Sequence, residues 1–376
     1  MLGKEFSLKI TMAIALFFSL LIGSDFEREF SIAGENKSEI ERAIREVPDY
    51  QYHGMEWLIT HMPKEDLEIL SSDFLLSNCQ LAYEAWDSSP WNESIPQEIF
   101  FDFILPYASL NERRDDWRAD FQKRFFPVIK EAETPYEATA MLNNKIYEMV
   151  GVIYSTDRPK ADQSPYESID AGMASCTGLS ILLIDACRSV GIPARFVGTT
   201  RWYNDSGNHS WVEIWDNGWH FTGAAEPTNE RLNEGWFSAL AGNALAGDMK
   251  YGIFANTWNN SDIYFPMDWL PGVKTYRAVD VTKRYTINIK TNELVPIRIK
   301  VCDLSGKRKT SIVKVIGEDN FSFEGVTKNE DYDDNDHLTV MLPKGKTFQI
   351  KSENDVQTID VEKEEIINLN STKSSR

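Results

Sequence analysis

Only four of the 376 residues are cysteine, Cys79, Cys176, Cys187 and Cys302, and no two of them form a CxxC pair. So few, so widely spaced, exclude a disulfide-built scaffold. Cys176 and Cys187 fall in one helical pattern, about 16 Å apart at ~1.5 Å per residue, too far to bridge each other. Histidine is equally sparse, with five residues, and no His/Cys cluster has zinc-ligand spacing. No metal and no organic cofactor is therefore expected. Basic residues are outnumbered, 39 against 58 acidic, for a net charge of -19. A negative field repels phosphate, which argues against a nucleic-acid partner.

The apolar run from Ile10 to Ile22 is shorter than the roughly 20 residues that span a bilayer. It follows Lys4 and Lys9 and ends at Gly23-Ser24. A basic start, a short apolar stretch and small residues after it read as a secretory signal peptide over residues 1–24. No cysteine follows the run, so a lipoprotein anchor is not expected. The expectation is a secreted or periplasmic bacterial protein whose mature chain has no transmembrane span.

The remaining length suits two or three domains. Residues 25–36 read as a polar linker, and 25–156 as a helical N-terminal domain. Ser38-x-x-Glu41 has the form of a capping box. Apolar residues recur at helical spacing in 64–76, 95–107 and 135–152, between prolines that cut the region into short helices. Residues 157–270 form a central unit. From 275 to 370 short alternating segments (285–290, 296–302, 311–316, 338–342, 347–351 and 356–361) predict an antiparallel β-sandwich. The fold class expected is α+β. Asn329 to His337 holds Asp331, Asp333 and Asn335 at the alternate spacing of a calcium loop. Asp336 stands where that loop needs Gly, and Leu342 where it needs Glu, so the stretch reads as a solvated loop.

The chemistry concentrates in the central unit. Ser175-Cys-Thr-Gly178 leads into an apolar helix that Gly191-Ile-Pro193 ends. Cys176 thus stands at a helix start, where free N–H groups and the helix dipole favour a thiolate. Cys187, inside the helix, reads as structural. Asn217-Gly218 joins two β-rich segments, 209–215 and 219–226, as a two-residue hairpin turn. That turn would set Trp215 opposite His220, Glu213 opposite Thr222 and His209 opposite Glu226. A carboxylate beside a histidine orients the ring and supports its charged form. His209 and Glu226 are therefore candidate partners of Cys176. His53, His61, His220 and His337 read as structural or unpartnered.

These motifs resemble the transglutaminase-like superfamily. Gly172-x-x-x-Cys176, then Cys-Arg-Ser-Val-Gly-Ile-Pro-Ala-Arg195, then His209-Ser-Trp-Val-Glu213 and Trp219 occur in that family's order. The flanking regions are reminiscent of exported Bacteroidetes members. The resemblance covers about residues 150–230. It implies a papain-like core with Cys176 as nucleophile and His209 as base. The family's acid, an Asp shortly after the hairpin Trp, is replaced by Thr222-Gly223, with Glu226-Pro227 slightly later. Glu226 takes that role, or the acid is absent. Arg195 and Glu213 also fit the family pattern and read as structural. The function expected is acyl transfer or hydrolysis through a cysteine thioester on a peptide, protein or cell-wall amide. The alternative is a reduced-activity core serving as a surface binding or assembly protein.

Overall fold

A computed structural model of the chain describes residues 26–286, 294–317 and 321–372. The expected signal peptide, residues 1–24, lies outside the described residues. Among those described, no helix is long and apolar enough to cross a membrane.

The fold is mixed helix and sheet: a helical N-terminal region, a central helix backed by a six-stranded sheet, and two mostly antiparallel C-terminal sheets. The principal N-terminal helices are Glu27–Ala33, Lys37–Glu46, Tyr52–His61, Ser72–Ser88, Gln97–Phe103, Arg118–Phe125 and Pro135–Val150. Two expectations fail at the start. Residues 25–36 are no linker: Glu27–Ala33 is helical, and Phe26, Phe30 and Ala33 are buried. Apolar residues four apart anchor this segment despite its polar composition. Ser38 is no N-cap either, because a 3-10 turn over Gly34–Asn36 runs straight into the next helix and leaves Ser38 in its first turn. Thr134 caps the Pro135–Val150 helix through the Glu137 N–H, with Pro135 at the first helical position.

The helix Cys176–Ser189 lies at the centre, and every residue after Cys176 in it is buried. It packs on helices Ser72–Ser88, Arg118–Phe125 and Pro135–Val150 on one side and on a sheet on the other. Buried Arg188, in its last turn, donates to the carbonyls of Phe103 (3.1 Å), Ala108 (2.9 Å) and Ala194 (3.0 Å). One guanidinium thus joins the helix end, the N-terminal region and the start of a strand. One apolar core reaches from Phe26 to Ala278, across the junction expected near 156, and a smaller one is built on Trp202, Trp211, Phe237 and Ile253.

Two short parallel strands, β1 (Ile153–Tyr154) and β2 (Met173–Ala174), precede the central helix. The sheet behind it holds β3 (Ala194–Thr199), β4 (His209–Trp215), β5 (Trp219–Thr222), β6 (Phe254–Thr257), β7 (Ile263–Tyr264) and β8 (Arg277–Asp280). Their order is β5-β4-β3-β6-β8-β7, antiparallel throughout. The β4/β5 register differs from expectation by one residue. Trp215 pairs Trp219, Glu213 pairs Phe221 and Val212 pairs Thr222. The loop holds three residues, because Asp216 N–H closes it onto the Gly218 carbonyl at 2.9 Å with Asn217 at positive φ. Pairing stops at Thr222, so no strand register sets His209 opposite Glu226.

The C-terminal region has a separate apolar core built on Ile297, Ile299, Val313, Val315, Phe348 and Ile350. One of its two sheets holds β9 (Leu294–Cys302), β10 (Arg308–Lys309), β13 (Leu338–Pro343) and β16 (Glu365–Asn370). The other has β11 (Ile312–Gly317), β12 (Ser322–Val326), β14 (Thr347–Lys351) and β15 (Val356–Asp360), in the order β12-β11-β14-β15. All pairs are antiparallel except β16 with β9. The strand expected over 285–290 is not seen where the chain is described: Thr282–Thr286 is helical, and 287–293 lie outside the described residues.

Candidate active site

Cys176 is the first residue of its helix, with Ser175 in extended backbone before it. Gly178, in the first turn, faces Ala174 and Ser168 so closely that an added Cβ would lie 3.0 Å from the Ala174 Cβ. The small residue lets the helix start seat tightly beneath β2. Cys176 is half-buried; Cys187 and Cys79 are buried, and burial pushes both of those thiols up to about 12. A neutral buried thiol is inert, which separates these two from Cys176.

His209 opens β4, opposite Thr199 of β3. Its ring is buried, with the Trp236 and Phe237 rings 4.7 and 4.9 Å away, centroid to centroid. The Cys176 sulfur, a His209 ring nitrogen and a carboxylate oxygen of Asp333 all lie within 4.8 Å of one another. Glu226 is also present: its Oε2 lies 3.6 Å from His209 Nε2. The three residues expected from sequence thus share one locus.

Glu226 reaches the ring by a turn instead of a strand pair. Ala225 takes positive φ, and Glu226 N–H closes on the Gly223 carbonyl at 3.3 Å. Buried Asn143, from the Pro135–Val150 helix, clamps the turn: it donates to the Gly223 carbonyl at 2.8 Å and accepts from Ala225 N–H at 3.0 Å. Gly223 must be small, since an added Cβ would overlap the Glu226 carboxylate.

Asp333 was not expected here. Its Oδ2 lies 3.5 Å from His209 Nδ1. Its other oxygen, Oδ1, accepts from Asn335 N–H at 2.9 Å and from Asn335 Nδ2 at 3.3 Å. The stretch read as a solvated loop is docked on the core, with Asp333, Asp336 and His337 all buried. Buried Arg308 holds it from the sandwich side, donating to the carbonyls of Asp333 (2.8 Å) and Tyr332 (2.7 Å). From the core, Tyr154 Oη accepts the Asp334 N–H at 2.8 Å, and the Asn208 carbonyl accepts from Asn335 Nδ2 at 3.1 Å. Gly207, at φ +131, allows the approach, because any Cβ there would collide with the Asn335 amide. The one hint in the sequence was negative: the family's acid was missing, and nothing indicated that residue 333 would approach residue 209.

The electrostatics follow from this crowding. Burial pulls the His209 pKa down, but the charges of Glu226 and Asp333 outweigh it and hold the imidazolium well above its usual range. Burial pushes Asp333 up; His209 and the Asn335 bonds reverse this and leave it below the ordinary carboxyl value. At Asp336 burial, and then the Glu226 charge, outweigh the pull of Lys328 and His209 and push the carboxyl up to about 7. Among the described residues, neither ring nitrogen of His209 finds a well-aligned hydrogen bond.

Other polar residues of the family pattern serve the frame. Arg195 forks onto Glu213 at 2.6 and 2.8 Å and lies 3.6 Å over the Trp219 ring. Arg284 and Tyr285 take the other Glu213 oxygen at 2.6 and 2.8 Å. His220 is bound to the Asp216 carbonyl (3.1 Å) and Asn233 (2.9 Å), away from Cys176. Above Cys176 opens a cleft of about 550 Å³ lined by Tyr154, Arg158, Asp268, Trp269 and, from the sandwich, Asp333–Asn335.

Residues 123–224 match the family model of the transglutaminase-like superfamily. The core is transglutaminase-like. Solved structures similar to the chain include a proposed cysteine protease from Cytophaga hutchinsonii, at 20% identity and TM-score 0.25, covering 29% of this chain and 38% of that one. A proposed protease from Parabacteroides distasonis aligns at 7% identity and TM-score 0.26, over 63% of this chain and 36% of that one. Red sea bream transglutaminase aligns at 10% identity and TM-score 0.25, over 76% of this chain and 59% of that one. The chain spans little more than a third of the length of the first two. No curated protein sequence matches it significantly. The assignment of the transglutaminase-like core rests on the sequence match.

Proposed function

We propose that this chain is an exported cysteine enzyme that performs acyl transfer or hydrolysis on a peptide or amide through a thioester on Cys176. The observation that carries the reading is the meeting of Cys176, which starts a buried helix and lines an open cleft, with His209 and, behind it, Glu226. Cys176 attacks the substrate carbonyl carbon as a thiolate. The His209 imidazolium then gives its proton to the amine as the C–N bond breaks. Water or a second amine attacks the thioester, His209 takes the attacking proton, and Cys176 is released. Glu226 orients the ring and supports its charge. Backbone N–H groups at the helix start are the natural donors to the developing oxyanion.

A peptide, a protein side-chain amide or a cell-wall amide all suit this chemistry. Secretion or transfer to the periplasm is supported by Lys4 and Lys9 before the apolar run Ile10–Ile22.

The test is capture of the acyl-enzyme. Full mature chain is mixed with glutaminyl peptides, peptide anilides and muropeptide amides, quenched in acid and weighed intact. A substrate adds its acyl mass to wild type and nothing to Cys176→Ala, and hydroxylamine removes it. If no acyl adduct or product forms with any of these classes, the hydrolase reading fails. A second reading, a surface binding protein with reduced activity, is favoured by Asp333, whose buried carboxylate crowds the thiol. It predicts no turnover, together with saturable binding of one of the same ligands.

A further inference from the structure

The carboxylate of Asp333 comes from the C-terminal sandwich region, whereas Cys176 and His209 stand on the central helix and β4, yet it is built into their site. A dyad with Glu226 behind it already has an orienting acid, so Asp333 needs another account. Its distance to the ring is informative. At 3.5 Å from Nδ1, with no aligned hydrogen bond on that nitrogen, the pair is too long for a charge-assisted hydrogen bond. It matches the edge between two ligands of a tetrahedral zinc, which is about 3.4 Å for Zn–N and Zn–O bonds of roughly 2.1 Å.

We propose that Cys176, His209 and Asp333 form a three-ligand site for a zinc ion, which silences the nucleophile reversibly. Thiolate, imidazole and carboxylate are the donor set that zinc accepts in sites that keep a fourth position open. Cys176 and Asp333 both line the cleft, from which a fourth ligand would enter. The three donor atoms already lie within 4.8 Å of one another, so closing the site needs shifts of about 1 Å toward the ~3.4–3.6 Å edges of a zinc tetrahedron. The surrounding groups suit a metal as well. Asn335 holds the Asp333 Oδ1, leaving Oδ2 turned to the ring. Glu226 stands at Nε2, where a carboxylate commonly supports a metal-bound histidine. The carboxylates of Glu226 and buried Asp333 face a single imidazolium from its two nitrogens, beside the Cys176 thiolate, an excess of negative charge that a divalent cation offsets. From the thiolate–imidazolium pair, binding releases the ring proton to solvent, and it occupies the sulfur lone pair that would attack a carbonyl. This silencing rests on the reading of Cys176 as nucleophile; the binding does not.

The experiment uses the full mature chain, freed of metal with a chelator. Zinc is titrated in competition with a chromophoric chelator, and cobalt is added in parallel to follow the thiolate-to-metal charge-transfer band. One equivalent should bind, and zinc should protect Cys176 from iodoacetamide. Asp333→Asn should weaken zinc affinity at least ~10-fold, and Cys176→Ser should abolish the charge-transfer band. Asp333→Cys supplies another zinc ligand at the same place and should recover the affinity, which separates lost ligation from lost docking. Zinc binding that Asp333→Asn and Cys176→Ser leave unchanged would be adventitious and would overturn the site, as would a cobalt complex without the band. Alkylation of metal-free protein beside His209→Ala tests the nucleophile alone, so failure of that reading and failure of the metal site are told apart.

Discussion

His209 carries two opposed influences, and their sum sets how the site answers pH. Burial alone would neutralise the ring; Glu226 and Asp333 together keep it protonated well above the usual histidine range. A histidine with a raised folded pKa lends stability at low pH that is lost as pH rises through that value. The same proton is the one the leaving amine needs. Glu226→Gln removes one of the two supporting charges, so the alkaline limb of the pH–kcat/KM profile should move to lower pH. The rate at the optimum should fall, by up to about 10⁴-fold as for the orienting acid of a triad. An NMR titration of the His209 ring gives the same shift without a substrate. An unmoved limb would remove Glu226 from the mechanism. At this scale Cys176 and His209 were legible, because a helix start and a strand start in one compact segment leave local signatures. Asp333 was not. Its stretch was judged on composition, and burial of an acidic loop depends on what docks over it.

The turn from Gly223 to Glu226 shows how one element is fixed by another distant in sequence. The hairpin was read as a two-residue turn, and the extra loop residue moved every pair by one. Glu226 nevertheless arrives, because Asn143 holds the turn from a helix 80 residues earlier. No strand pattern could reveal that clamp. The sandwich strands β9, β11, β13, β14 and β15 were legible from alternation, whereas β12 and β16 were missed. The helix Glu27–Ala33 was hidden by its polar composition. Gly223 is outside the positive-φ set, so an alanine there meets no backbone strain; its nearest clash is with the Glu226 carboxylate. Gly223→Ala should therefore reproduce the Glu226→Gln phenotype. The double variant should be hardly worse than either single one, as expected for groups acting through one contact. Additive losses in kcat/KM would contradict the placement of Glu226.

For the whole molecule, the sandwich is a wall of the cleft. It is joined to the core by Asp334 on Tyr154, by Asn335 on Asn208 and by Tyr203 on Glu364. Asp336 is the weak point of this junction. Its carboxyl is raised from 3.8 to about 7, so its contribution is full below pH 4 and is lost as pH rises through 7. Asp336→Asn should leave stability at pH 4 almost unchanged and raise it at pH 8.5, by no more than about 4 kcal/mol. Urea unfolding at the two pH values checks this; equal effects at both would show that Asp336 is not buried as charge. The separate apolar core of the sandwich was legible as a change of periodicity near residue 275, but its docking across the active site was not. The contacts that make it are single polar residues, far apart in the chain.

The account depends most on Cys176 being activated by His209. The direct measurement is intact-mass labelling of the metal-free mature chain with limiting iodoacetamide from pH 5 to 9, beside Cys176→Ala and His209→Ala. The account predicts one equivalent added at acidic pH, lost in both variants. Labelling of Cys176 that ignores the His209 substitution, or that appears only at alkaline pH, would contradict it.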